Sequence, residues 1–210
     1  MAIVLHDNAR SSNAQKVRFL LAELGLDYTR REVPFGLERP AWHLAVNPVG
    51  GIPTVLIDGT PVAESHAILR TLAVRAGRDD LYPQRWPERA RVEWLLDAVA
   101  GLRELTRPIE EAAFGLRRRR GLGAETPETD RGQAVLDRQR DALATWSRLL
   151  DAGTFACLDR LSLPDLAAAP YLHRLRATGL DLAGLERLVA WSDVILARPA
   201  WQALIPEAGV

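Results

Sequence analysis

Three short stretches carry residue types that could do chemistry together. Ser11, Ser12 and Asn13 stand ahead of a run in which Val17, Leu20, Leu21 and Leu24 fall at i, i+3, i+4 and i+7, one face of a helix. A helix N-terminus carries unpaired N–H groups and a partial positive charge, so it stabilises an anion. A hydroxyl placed there can donate to a bound thiolate. A free thiol has a pKa of about 8.5, and such a setting can lower it by roughly 2 units. Ile52-Pro53 stands just ahead of an apolar, β-branched run. A cis bond there would leave the Ile52 N–H and C=O open to an extended peptide, although a bare Ile-Pro pair is more often trans. Glu64-Ser65 opens a later helical run. The Ser65 N–H and hydroxyl suit a carboxylate and Glu64 suits an ammonium group, so the pair fits an α-amino-acid group. Each of these serines, taken alone, also reads as a plain helix cap.

The elements that must hold these stretches are legible in outline. Ile3 to Leu5 reads as a buried strand, followed by the amphipathic helix, which Gly25 stops. Tyr28 to Val33 reads as a second strand, and Ala41 to Ala45 as a short helical turn. Thr54 to Ile57 is a third strand, joined by the hairpin signal Asp58-Gly59 to a fourth at Val62-Ala63. A helix from about Ser65 to Ala76 follows, stopped by Gly77. Strand-helix-strand requires a parallel pair, and the hairpin adds an antiparallel edge. The expected fold is therefore α/β and thioredoxin-like over residues 1–77, with a polar, proline-bearing linker over 78–87. Residues 88–210 read as an all-α domain of about five helices: one through Val92 to Leu102, then Val135 to Leu150, Pro164 to Ala177 and Leu185 to Leu196, with a Gly/Pro/Thr loop near Gly121 to Thr129.

Composition limits what the chain can bind. The 210 residues include 27 Lys+Arg and 27 Asp+Glu, a net charge of zero, which argues against nucleic acid or an anionic membrane as partner. No apolar run approaches the length of a membrane span, and the first residues lack the basic start of a signal peptide, so the expected location is cytoplasmic. The single Cys157 excludes an internal disulfide and reads as a small buried hydrophobe. His6, His66 and His173 have no metal-ligand spacing, and no metal is expected. His43 reads as a packing residue, Arg117 to Arg120 as solvated surface, and the six tryptophans mainly as core and interface anchors.

Taken together, the segments SSNAQKVRFLLAELGL (Ser11 to Leu26), NPVGGIPTVLIDG and ESHAIL (Glu64 to Leu69) resemble the first domain of glutathione transferases in order and spacing. Ser162-Leu163-Pro164-Asp165 followed by LAAAPYL resembles the capping-box segment of that family's second domain, and WSDVILARPAW resembles its C-terminal segment. The resemblance implies that residues 1–77 bind glutathione as co-substrate. Ser11 would stabilise its thiolate, with Ser12 as the alternative and Asn13 assisting. Ile52, next to cis-Pro53, would pair with the cysteinyl unit, and Glu64 and Ser65 would hold the γ-glutamyl end. The electrophile would bind between the domains, partly against the helix containing Arg103 to Phe114, and the protein would be a homodimer serving detoxification.

No tyrosine precedes Tyr28 and no cysteine lies near the first helix, so the likeness is to the serine-using, theta-like and bacterial classes. The zeta class, which isomerises maleylacetoacetate or maleylpyruvate, is the second choice; here Asn13 stands where that class has cysteine. Many relatives carry a lysine or similar polar residue where Gly51 stands, so the glycine carboxylate would either fall to Arg39 or be weakly held. The expected activity is attack of the glutathione thiolate on a small hydrophobic electrophile. Isomerisation, dehalogenation and a non-catalytic binding module of the same fold are the alternatives.

Overall fold

The structure is a computed structural model that describes residues 1–36, 38–114 and 128–205. The Arg117 to Arg120 run and most of the expected loop near 121–129 lie outside the described residues. Two compact units emerge: Met1–Pro83 together with the segment that begins at Arg198, and Gln84–Ala197.

The first unit runs β1 (Ile3–Asp7), α1 (Ser12–Leu24), β2 (Thr29–Glu32), α2 (Ala41–Leu44), β3 (Thr54–Ile57), β4 (Thr60–Ala63) and α3 (Ser65–Arg75). Its four strands lie in the order β2-β1-β3-β4. β1 pairs parallel with β2 across the α1 crossover, and antiparallel with β3, which pairs antiparallel with β4. This is the mixed thioredoxin-like sheet. The β3–β4 hairpin turns at Asp58 (φ 50°) and Gly59 (φ 84°), the two positive φ values that a tight hairpin needs. Gly25 ends α1 in the left-handed region, its N–H reaching Ala22 and the Leu26 N–H reaching back to Leu21.

Every residue of α1 from Ala14 to Leu21 is buried, so this helix is enclosed rather than amphipathic. Its polar members find partners inside the unit. Asp7, fully buried on β1, takes Arg30 of β2 at 2.6 Å and faces Arg18 of α1 at 3.9 Å. Burial raises the Asp7 pKa, and the two guanidinium groups pull it back down. The segment from Arg198 closes the same unit. The short helix α8 (Pro199–Gln202) buries Trp201 completely, edge to face against Phe19 of α1, and Arg198 grips Glu23 of α1 through two hydrogen bonds of 2.6 and 2.8 Å.

The second unit holds α4 (Glu88–Ala113), α5 (Thr129–Ser147), α6 (Leu163–Ala177) and α7 (Glu186–Leu196). α4 packs on α5 and α6 through the buried stripe Val92, Leu95, Leu96, Val99 and Leu102, and α6 packs on α7. The capping box at the start of α6 forms: the Ser162 side chain meets the backbone N–H of Asp165, whose carboxylate accepts from the Ser162 N–H at 2.8 Å. The same carboxylate, wholly buried, also accepts from Ser162 Oγ, Ala156 N and Trp191 Nε1. Burial pushes its pKa up to about 6, still ionised at neutral pH. Cys157 is buried beside it, and burial pushes its thiol up to about 11.

Some expectations shift. β1 reaches Asp7 rather than Leu5, and β4 begins at Thr60. α5 begins at Thr129, six residues before the apolar periodicity that announced it, because its first turns are polar and solvated. Of the tryptophans, Trp146, Trp191 and Trp201 are buried, whereas Trp86 and Trp94 are exposed.

Candidate active site

The sheet register brings the candidate residues to one end of the first unit. His6 on β1 pairs with Thr54 on β3, and Thr54 pairs with Ala63 on β4. This single row is the last one before three connections begin. β1 leads on to the Ser11 loop, β3 starts immediately after Ile52-Pro53, and β4 leads directly into Glu64-Ser65. Ile52-Pro53 is cis.

The loop that presents Ser11 is built by Asn8. Its side-chain amide donates to the Val33 carbonyl at 3.2 Å, its side-chain oxygen accepts from the Arg10 N–H at 3.2 Å, and its own carbonyl accepts from the Ser11 N–H at 3.0 Å. Ser11 is the N-cap of α1 and its oxygen accepts from the Ala14 N–H at 3.3 Å. Accepting at oxygen leaves the hydroxyl hydrogen to donate elsewhere. Ser12 is the first residue of α1, half-buried, and Asn13 is exposed.

Glu64 sits at φ 68°, a region costly for any residue with a Cβ, and exposed at the start of α3. Non-glycine residues held there cost about 1–3 kcal/mol each and cluster at ligand clamps. Ser65 is the first residue of α3 and buried, so its N–H is one of the open donors of that helix end. α1 and α3 pack side by side. Lys16, the sole lysine of the chain and buried, joins them: its ammonium donates to His66 Nε2 at 3.1 Å. Burial, then Lys16, then Arg70 lower the His66 pKa to about 3. His66 is thus neutral and Lys16 carries the charge. Two helix N-termini and a buried ammonium make this end of the unit favourable for an anion.

Around Ile52 the backbone is braced. The Gly51 carbonyl oxygen accepts from three partners: Thr54 Oγ1 at 3.0 Å, Asn47 Nδ2 at 3.0 Å and His43 Nε2 at 3.1 Å. Gly50 is required by its geometry, with φ 70° and a Cβ that would come within 2.9 Å of Arg39. Among the described residues no hydrogen bond engages the Ile52 backbone. Arg39 donates from Nε to Gly50 at 3.0 Å and from Nη1 to Pro34 at 2.6 Å, so it braces the segment between β2 and β3.

Sequence reasoning passed over two features here. Lys16 was given no role in the site, although a sole lysine one turn into an apolar helix was its signal. His43 is indeed buried, but both of its ring nitrogens are engaged: Nε2 meets Gly51 and Nδ1 lies 3.2 Å from His6 Nδ1.

The comparisons with known proteins agree with this fold. The family model for the glutathione S-transferase N-terminal domain matches residues 10–75, and the C-terminal domain model matches residues 115–194. The chain is 34% identical over 194 residues to a maleylacetoacetate isomerase of Rhizobium meliloti, covering 89% of this chain and 88% of that one. It is 32% identical to glutathione S-transferase GstB of Escherichia coli, covering 94% and 95%. A solved theta class glutathione S-transferase from Xanthomonas axonopodis pv. citri, with glutathione bound, superposes with a TM-score of 0.79 at 26% identity, covering 96% of both chains. With both domain models matched in order, over an α/β unit and a helical one of the expected kind, the chain belongs to the glutathione S-transferase family.

Proposed function

We propose that this glutathione-dependent transferase joins the glutathione thiolate to small hydrophobic electrophiles. The observation that carries the reading is the convergence of the Ser11 helix cap, cis Ile52-Pro53 and the Glu64-Ser65 helix start at one end of a single sheet. In this reading Ser11 donates its hydroxyl hydrogen to the thiolate, and Ser12 and Asn13 lie alongside without that role. Ile52 pairs through its backbone with the cysteinyl unit. Ser65 donates to the γ-glutamyl carboxylate, and Glu64 accepts from the ammonium group. The α1 dipole and Lys16 lower the thiol pKa, which raises the fraction of nucleophile at neutral pH. Arg39 serves the site by bracing its loop, and the glycine carboxylate has no dedicated side chain at Gly51. A cytoplasmic homodimer acting without a metal in detoxification completes the proposal. Among the described residues no helix is long and apolar enough to cross a membrane.

Calorimetric titration with glutathione, followed by conjugation of a generic aryl halide, tests this. Binding at micromolar to low-millimolar concentration with turnover is expected. Absence of binding overturns the proposal.

A second reading has its own support. Identity to the Rhizobium meliloti isomerase is 34%, and Ser11-Ser12 followed by Lys16-Val17-Arg18 also fits that class. There the thiolate would add to a cis double bond, allow rotation and leave again, so glutathione would be regenerated. Turnover of maleylacetone without glutathione consumption would select this reading over conjugation.

A further inference from the structure

A chain of two buried histidines ends on the peptide that the proposed function uses. His6 lies on β1 in the row that pairs with Thr54, and His43 lies on α2; both are buried. Their Nδ1 atoms are 3.2 Å apart, and His43 Nε2 is 3.1 Å from the Gly51 carbonyl oxygen. A carbonyl oxygen can only accept, so His43 must carry its proton on Nε2. When His43 carries that one proton, its Nδ1 is bare and accepts, and the proton between the rings belongs to His6 Nδ1. The chain therefore has one direction: His6 donates to His43, and His43 donates to Gly51. Burial, then His43, then Arg31 lower the His6 pKa, in keeping with a neutral ring. Trp42 stands edge-on to His6 at 5.0 Å with the Arg31 guanidinium over its face, closing the ring pair from that side.

The Gly51–Ile52 peptide is trans, so the Gly51 C=O and the Ile52 N–H share one plane and point in opposite directions. Whatever fixes the carbonyl fixes the N–H. Asn47 and Thr54 bind the carbonyl from the loop and from β3, and His43 adds a third donor from α2. We infer that His43, oriented by His6, is a positioning residue that aims the Ile52 N–H at the peptide backbone of bound glutathione. The inference rests on the proposed role of Ile52 and adds the device that orients it.

The test compares steady-state kinetics and calorimetric glutathione binding for His43→Leu, His43→Gln and His6→Leu, with thermal melting and circular dichroism as controls for folding. His43→Leu keeps the volume but removes the donor, and KM and Kd for glutathione are expected to rise ~10-fold, the size of one lost hydrogen bond. kcat at saturating glutathione should fall no more than about twofold, because the donor acts on binding geometry. His43→Gln presents an N–H near the Nε2 position and should recover most of the loss. His6→Leu should raise KM ~3-fold, and it carries the test if His43→Leu does not fold. Folded variants with unchanged KM overturn the inference while leaving the transferase reading intact. So does a parallel loss of kcat and KM that His43→Gln does not rescue. Failure of the unsubstituted protein to bind glutathione overturns the reading itself and the inference with it.

Discussion

Ser11 has two tasks whose energies can be separated. As the cap of α1 its oxygen accepts from Ala14, and as the proposed thiolate partner its hydrogen donates to sulfur. Ser11→Ala should therefore cost about 1 kcal/mol of stability, the usual value of a cap, and ~10²–10³ in kcat, the usual value of a charge-stabilising donor. Ser12→Ala should do neither. Urea unfolding and conjugation rates measured on the same samples separate the two losses. Gly51 offers a gain instead. Its φ is ordinary and a Cβ there would meet only Asn47 Nδ2 at 3.6 Å, so a side chain fits. Gly51→Lys should lower the glutathione Kd ~5–10-fold by supplying a cation for the glycine carboxylate, read by calorimetry. His66 sets an acid limit. Its folded pKa lies below its unfolded value of about 6.5, so its contribution is complete above that pH and is lost as pH falls toward 3. His66→Asn should remove on the order of 1 kcal/mol of the destabilisation between pH 7.5 and 5, measured by urea unfolding at both. The serines, Ile52-Pro53 and Glu64-Ser65 were legible in sequence because helix starts and X–Pro pairs are local signals. Lys16, His6 and His43 were not. Their meaning comes from partners 50 and 37 residues away, and no local pattern announces such pairs.

At the scale of elements, Asp165 holds together more than its own helix. Its two oxygens accept four hydrogen bonds, from the Ser162 backbone and hydroxyl, the Ala156 N–H and the Trp191 indole of α7. Asp165→Asn keeps the shape but turns an N–H₂ toward two of these donors. It should cost about 3 kcal/mol or more, since a buried charged acceptor is replaced by a mismatched amide. The check is the shift of the urea midpoint, with circular dichroism to confirm that the helices persist. This box was legible before the structure, because Ser-x-x-Asp ahead of an apolar run is a short-range code. The hairpin was legible for the same reason at Asp58-Gly59. The start of α5 was not, because Thr129 to Ala134 contribute to a helix without an apolar stripe to announce it. Nor was the enclosure of α1, which reads as amphipathic through Val17, Leu20, Leu21 and Leu24 yet also buries Lys16 and Arg18.

At the scale of the whole molecule, the first unit is not one stretch of chain. Trp201 is wholly buried against Phe19, and Arg198 clasps Glu23. Trp201→Ala should cost about 3–5 kcal/mol, as for other buried aromatics cut to alanine. The expected sign is a thermal midpoint lowered by ~10 °C or more in calorimetry. The resemblance of WSDVILARPAW to a family segment marked this stretch in sequence, but not that its Trp201 belongs to the fold of β1 to α3. That arrangement bears on synthesis. Glu23 and Arg198 are 175 residues apart. At ~5–20 residues per second, a ribosome adds the second ~9–35 s after the first. For that interval the nascent sheet waits with the Phe19 side of α1 uncovered. Its completion is timed by translation of the helical part in between, so any chaperone that shields the nascent chain should find its longest-lived target on α1.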